Sequence, residues 1–175
     1  MPPITPPWSP PSPTMSMESI SGSPLLSDVT LQQFSRKIKI MIVDDNSINL
    51  TILSRVLHVH FAETVELSAV MTSGVAALER LSKEEFDLIL MDIDMPVLTG
   101  VETTIAIRQP TPEYPILEQN QKVPIIAVTT SDGEIQRELY QHVGMSCCVS
   151  KPIVVSKLRF AIEDAVNSTG HLAVG

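Results

Sequence analysis

Four places in this chain carry residues able to do chemistry together. Asp44 and Asp45 are adjacent carboxylates at the end of an apolar run, Lys37 to Val43. Asp92 ends a second run, Phe86 to Met91, and Asp94 lies two residues further on. Thr129 and Thr130 end a third, Val123 to Val128. Ser150, Lys151 and Pro152 follow a fourth, Met145 to Val149. Clustered carboxylates repel one another, so they either rise in pKa or recruit a cation. Oxygen ligands without His or Cys suit Mg²⁺. A carboxylate can attack phosphorus and form an acyl phosphate. A cation and a lysine then neutralise charge on the transferring phosphoryl group, and a threonine hydroxyl can donate to one of its oxygens. Taken singly, each residue has a plainer role: an Asp at a strand end is usually a turn former or helix cap, and a Lys a solvated charge. The joint set is much harder to reach by accident.

The elements that must position these groups are legible in the hydrophobic pattern. The apolar runs, with an alternating stretch from Thr64 to Met71, read as five strands. Between them lie helical stretches. The first places Ile48, Ile52 and Val56 with Leu53 and Leu57 on one face, with Asn46 or Ser47 as its cap. Others run over Ser73 to Leu81, Thr99 to Arg108, Glu134 to His142 with Gly144 as its stop, and Val154 to Val166. Pro110, Pro112 and Pro115 make Gln109 to Gln121 a loop or a broken helix end. Alternating strands and helices predict a doubly wound α/β domain, and near-continuous apolar strands predict a parallel sheet covered on both faces. Crossovers are then right-handed. Parallel strands put all their carboxyl ends on one edge, where such sheets bind ligands.

The first 35 residues are a different material. They hold 8 of the 14 prolines and many serines, and Glu18 and Asp28 are their only acids. Such a segment cannot bury enough apolar surface to offset its ordering entropy and reads as a disordered tail. Thr5, Ser9, Ser12 and Ser23 precede proline, the pattern favoured by proline-directed kinases, and Trp8, Leu25 and Leu26 offer a weak docking motif. The expected division is a tail over 1–35, one domain over 37–167 and a short tail over 168–175, with too little chain after the last helix for an output domain.

A net charge of −8 argues against broad binding to nucleic acid, and no DNA-binding segment follows the domain. No apolar run approaches the roughly 20 residues that span a bilayer, and no signal-peptide pattern opens the chain. The expectation is a cytoplasmic protein, with access to the nucleus. Cys147 and Cys148 read as small apolar residues in a strand. His58 and His60, near a helix end, read as surface or packing residues.

Val43-Asp44-Asp45-Asn46, Leu90 to Pro96 with Gly100, Ala127-Val128-Thr129 and Lys151-Pro152 resemble, in order and nearly in spacing, the signature blocks of response-regulator receiver domains. The resemblance covers Lys37 to about Asn167. It implies a five-stranded sheet of order 2-1-3-4-5 flanked by five helices. It also implies that Asp92 accepts the phosphoryl group, that Asp45 ligates Mg²⁺ directly, and that Asp44 helps hold the ion through water. Asp94 matches the position whose backbone carbonyl binds the metal. Thr129 matches the hydroxyl that closes onto the phosphoryl group, and Lys151 the lysine that pairs with it. Pro152 stands at the usual cis-peptide position. The implied donor is a histidine-containing phosphotransfer protein or a hybrid histidine kinase. The Pro/Ser-rich leader and the Asp-Asp-Asn-x-x-Asn start, Asp44 to Asn49, are similar to yeast-type phosphorelay regulators, which implies a free-standing regulator in stress signalling rather than a classical enzyme.

The chain departs from the family pattern at Cys148, where receivers usually carry Phe or Tyr three residues before the lysine. Cys148 keeps open a phospho-independent pseudo-receiver that only binds partners. Asp92-Ile93-Asp94 also looks like the nucleophile motif of haloacid-dehalogenase-type phosphatases, but there the nucleophile strand comes first and the paired acids last, the reverse of the order here.

Overall fold

In a computed structural model, the structure describes residues 36–168. The sequence expectations for 1–35 and for the residues beyond 168 lie outside the described residues. Strands β1 (Ile38–Val43), β2 (Val65–Met71), β3 (Leu88–Asp92), β4 (Ile125–Thr129) and β5 (Cys147–Ser150) alternate with helices α1 (Ser47–His60), α2 (Gly74–Leu81), α3 (Gly100–Arg108), α4 (Glu134–His142) and α5 (Val155–Ser168). The sheet order is β2-β1-β3-β4-β5, and every pairing is parallel. Both agree with the sequence reading.

Because strand side chains alternate in direction, β1 feeds two separate cores. Ile38, Ile40 and Ile42 face α1 and α5, where they meet Leu50, Leu53, Leu57, Leu158 and Ile162. Met41 and Val43 face the other side, where Ala77, Leu78, Leu81, Ile107 and Tyr140 cover them from α2, α3 and α4. Each fully buried aliphatic side chain contributes on the order of 1.5–3 kcal/mol, which aromatic-poor strands make up in number.

Element boundaries moved slightly, and for local reasons. Asp92, Thr129 and Ser150 are the last residues of their strands rather than the first beyond them, since Asp92 still pairs with Val128 and Thr129 with Ser150. Asn46, not Ser47, caps α1, its side chain accepting from the amides of Ile48 and Asn49. Ser73 caps α2. The buried face of α1 is Leu50, Leu53 and Leu57, whereas Ile48 and Ile52 are 66% and 52% exposed. The i, i+4 spacing of the isoleucines is real, but it runs along the rim of the helix rather than onto the sheet.

One buried side chain ties the proline-rich connection from α3 to β4 to the segment between α2 and β3. Asn120, in a short 3₁₀ turn (Asn120–Lys122), is fully buried. Its amide donates to the carbonyls of Leu81 and Glu84, both at 2.7 Å, and its oxygen accepts from the amide of Phe86 at 3.0 Å. Asn120→Leu keeps the branched shape, removes the amide and orphans all three backbone groups. We expect it to lower unfolding free energy by roughly 3 kcal/mol in a urea titration, from the desolvation cost of unpaired buried groups; a loss below about 1 kcal/mol contradicts this account.

Candidate functional site

The carboxyl ends of β1, β3 and β5 converge on one acidic pocket of about 670 Å³, lined by Asp44, Asp45, Asn49, Asp92, Thr130 and Lys151 among others. Lys151 bridges the two buried acids. Its Nζ donates to Asp44 Oδ2 at 2.8 Å and to Asp92 Oδ1 at 2.6 Å. The lysine side chain is 18% exposed and each aspartate side chain 6%.

Local structure explains how each group arrives. Asp44 stands between the end of β1 and the start of α1. Its Oδ1 accepts from the Asn46 amide at 2.8 Å and from Asn49 Nδ2 at 3.2 Å, so the helix start clamps the carboxylate. Lys151 is fixed by its own amide, which donates to the Thr129 carbonyl at 2.7 Å, and by the cis Lys151–Pro152 peptide that the family pattern implied. Asp92 is held from behind by α3. A Cβ on Gly100 would lie 2.2 Å from the Asp92 carbonyl oxygen, so only glycine lets the helix start this close. The Gly100 amide donates to the Ile93 carbonyl at 2.9 Å, and a Thr99–Glu102 capping box finishes the helix end.

Electrostatics follow from this crowding. Burial is the largest influence on the Asp92 carboxyl and raises its pKa; the Lys151 hydrogen bond lowers it, and the negative charges of Asp44 and Asp94 raise it again, with a net rise. For Lys151, burial disfavours the ammonium, but hydrogen bonds and charge from Asp44 and Asp92 outweigh that, and its pKa is raised. Three carboxylates share one ammonium. Oxygens of Asp44, Asp45 and Asp92 lie within 4.8 Å of one another. Such an all-oxygen set with negative charge to spare fits a hard divalent cation.

The sequence-predicted site residues therefore meet, with one exception in orientation. Asp44, Asp45, Asp92, Asp94 and Lys151 line the pocket, Asp94 from an exposed position. Thr129 is at the right strand end but fully buried, and its Oγ1 accepts from the Ser131 amide at 2.9 Å. Thr130, not Thr129, borders the pocket. Asn49 is a site residue that sequence reasoning quoted without assigning a role. Its signal was spacing: it lies one helical turn beyond the residues that follow Asp44. Cys147 and Cys148 are half-buried thiols on β5, and burial pushes the Cys147 thiol up to about 11, in keeping with inert packing residues. Among the described residues, no helix is long and apolar enough to cross a membrane.

A parallel α/β sheet with a lysine-bridged acid pair at its carboxyl edge defines a class of phosphate-handling switch modules. The response regulator receiver domain family matches over residues 40–163, and the chain belongs to that family. It is thus a signalling module, and the dehalogenase-type reading falls away. A hybrid signal transduction histidine kinase B from Dictyostelium discoideum is 36% identical over 124 residues, which is 69% of this chain and 6% of that protein. A two-component system protein A from Emericella nidulans is 29% identical over 144 residues, 81% of this chain and 20% of that protein. The chain thus spans only a small part of these curated relatives. The solved receiver domain of the sensor histidine kinase PA1611 from Pseudomonas aeruginosa, described with a magnesium ion in its active-site cleft, is 26% identical. It superposes with a TM-score of 0.62, covering 75% of this chain and 99% of that one.

One backbone feature of the site loop invites a direct test. Val97, between β3 and α3, has φ +70°, a conformation that costs a β-branched residue roughly 1–3 kcal/mol, and it is 90% exposed. Val97→Asn keeps the loop conformation at lower strain and gives up little packing. It is expected to raise stability by about 1 kcal/mol in chemical denaturation; an unchanged or lower midpoint contradicts strain at this position.

Proposed function

We propose that this chain is a phospho-accepting response regulator in a phosphorelay, with Asp92 as the acceptor. The observation that carries the reading is the Lys151 ammonium shared between Asp92 and Asp44, with Asp45 in the same oxygen cluster. One Asp92 oxygen forms a bond to phosphorus as the bond from phosphorus to the donor nitrogen breaks. The imidazole of a phosphohistidine leaves with that electron pair and takes up a proton. Asp44, Asp45 and Asp92, with the Asp94 carbonyl, would hold Mg²⁺, which when bound neutralises charge on the phosphoryl oxygens. Lys151 would pair with the phosphoryl group, and Thr129 would turn its hydroxyl toward it. Hydrolysis of the aspartyl phosphate returns the domain to its resting state.

The donor is a histidine-containing phosphotransfer protein or a hybrid histidine kinase, in keeping with the relatives above. Ile52, which lines the pocket, and Ile48 one turn before it are exposed on α1 and give such a donor an apolar landing strip. The output is a change in partner binding. The resemblance to yeast-type regulators favours a role in stress signalling. A second reading, a phospho-independent binding module, is favoured by Cys148 at the position where receivers carry an aromatic ring.

Intact mass spectrometry separates the two. With acetyl phosphate and Mg²⁺, the wild type is expected to gain the mass of one phosphoryl group, EDTA is expected to block the gain, and Asp92→Asn is expected to gain nothing. Folded wild type that stays unmodified defeats the acceptor reading. Asp45→Asn removes an exposed carboxylate, so the fold should be retained while the Mg²⁺ concentration for half-maximal labelling rises about tenfold or more; the same Mg²⁺ dependence as wild type removes Asp45 from the ligand set.

A further inference from the structure

Tyr140 was not among the residues the sequence pointed to, and it does more than pack in the core beneath the sheet. It is the one buried residue of α4, 3% exposed, while Ile135 and Leu139 on the same helix are 78% and 46% exposed. Its phenol donates to the Ser131 carbonyl at 3.0 Å and lies 3.5 Å from Thr129 Oγ1. Thr129 is closed into the same small ring, accepting from the Ser131 amide and lying 3.4 Å from the Ser131 carbonyl. The hydroxyl assigned to the phosphoryl group is therefore occupied elsewhere, and Thr129 does not line the acidic pocket.

We propose that Tyr140 is a positioning residue for Thr129: its phenol holds the β4–α4 loop in the form that keeps the threonine hydroxyl off the phosphoryl site. The inference rests on the acceptor reading for Asp92. When the Thr129 hydroxyl turns toward a phosphoryl group, the Ser131 amide loses its acceptor and the Thr129–Tyr140 contact is lost. The loop and the phenol then relax together. Space exists for this. Cys148, paired with Ala127 on β4, is small, and a cavity of about 250 Å³ lies beside it, lined by Arg137, Tyr140, Gln141, Cys147 and Cys148. Because Tyr140 is the buried anchor of α4, its movement carries the state of Thr129 to that helix. The phenol thus takes up from a helix the coupling that no side chain on β5 is large enough to perform.

The test is a double-mutant cycle read by affinity for beryllofluoride, a phosphoryl mimic, in the presence of Mg²⁺. Tyr140→Phe keeps the ring and removes only the hydroxyl, so it should release Thr129 and tighten binding roughly threefold to tenfold, the size of one lost hydrogen bond. In a Thr129→Val background the same substitution should change nothing. Equal affinity for Tyr140→Phe and wild type, or the same gain with and without Thr129, overturns the proposal. A second measurement leaves the wild-type sequence intact. The chain has two tyrosines, so 3-fluorotyrosine labelling gives a Tyr140 signal to set against Tyr114. Beryllofluoride should move the Tyr140 signal and leave Tyr114 in place. A still Tyr140 signal in protein whose Asp92 takes the phosphoryl mass overturns the latch alone; protein that takes neither phosphoryl mass nor beryllofluoride overturns the latch and the acceptor reading together.

Discussion

Two carboxylates buried side by side against one ammonium set the terms for everything else in this protein. Like charges a few ångströms apart in a low-dielectric setting either give up a charge to a proton or hold a cation between them. The three residues involved, Asp44, Asp92 and Lys151, sit on elements far apart in the chain. Only a parallel sheet with all its carboxyl ends on one edge delivers them to the same place. The lysine satisfies two acids and leaves the third, Asp45, at the mouth. The site is short of positive charge by construction, and its oxygens offer a hard divalent cation a place to answer that shortage.

The fold supplies stiffness where the chemistry needs it. Asp44 is clamped by the first turn of α1, and Asp92 is backed by the start of α3, where Gly100 allows backbone to touch backbone. The β4–α4 loop is different. The backbone of Ser131 is satisfied by the Thr129 hydroxyl and by the Tyr140 phenol of α4, not by the pocket. On the proposed reading, clamped acids and a hydroxyl held apart from the pocket divide the labour of a domain that would first accept a group and then register its arrival.

Much of this was legible in the sequence because the signals are short-range or periodic. Four strands read as apolar runs and β2 as an alternating stretch, the helices read from Ser73 and Thr99 begin one residue later with those residues as caps, and Gly144 adopts φ +95° where the α4 stop was placed. The acids, Thr129 and Lys151 were found because each terminates a strand. What escaped depends on tertiary direction. The isoleucine spacing on α1 could not say which side of the helix meets the sheet. The orientation of Thr129 depends on a phenol 11 residues further along the chain, and nothing in a local window reveals that contact. The buried Asn120 looked like one polar residue among several in a proline-rich loop, since its partners Leu81, Glu84 and Phe86 lie more than 30 residues earlier, at the end of α2 and in the loop after it.

The sheet divides the interior into two clusters with no residue in common, one under α1 and α5 and the other under α2, α3 and α4. It acts as a septum. Repacking on the α4 side need not propagate through to the α1 side, because each cluster keeps its own complement of neighbours. A docked donor gripping α1 and a responder reading α4 would then sense different compartments of one small domain, and evolution can retune either compartment without renegotiating the other.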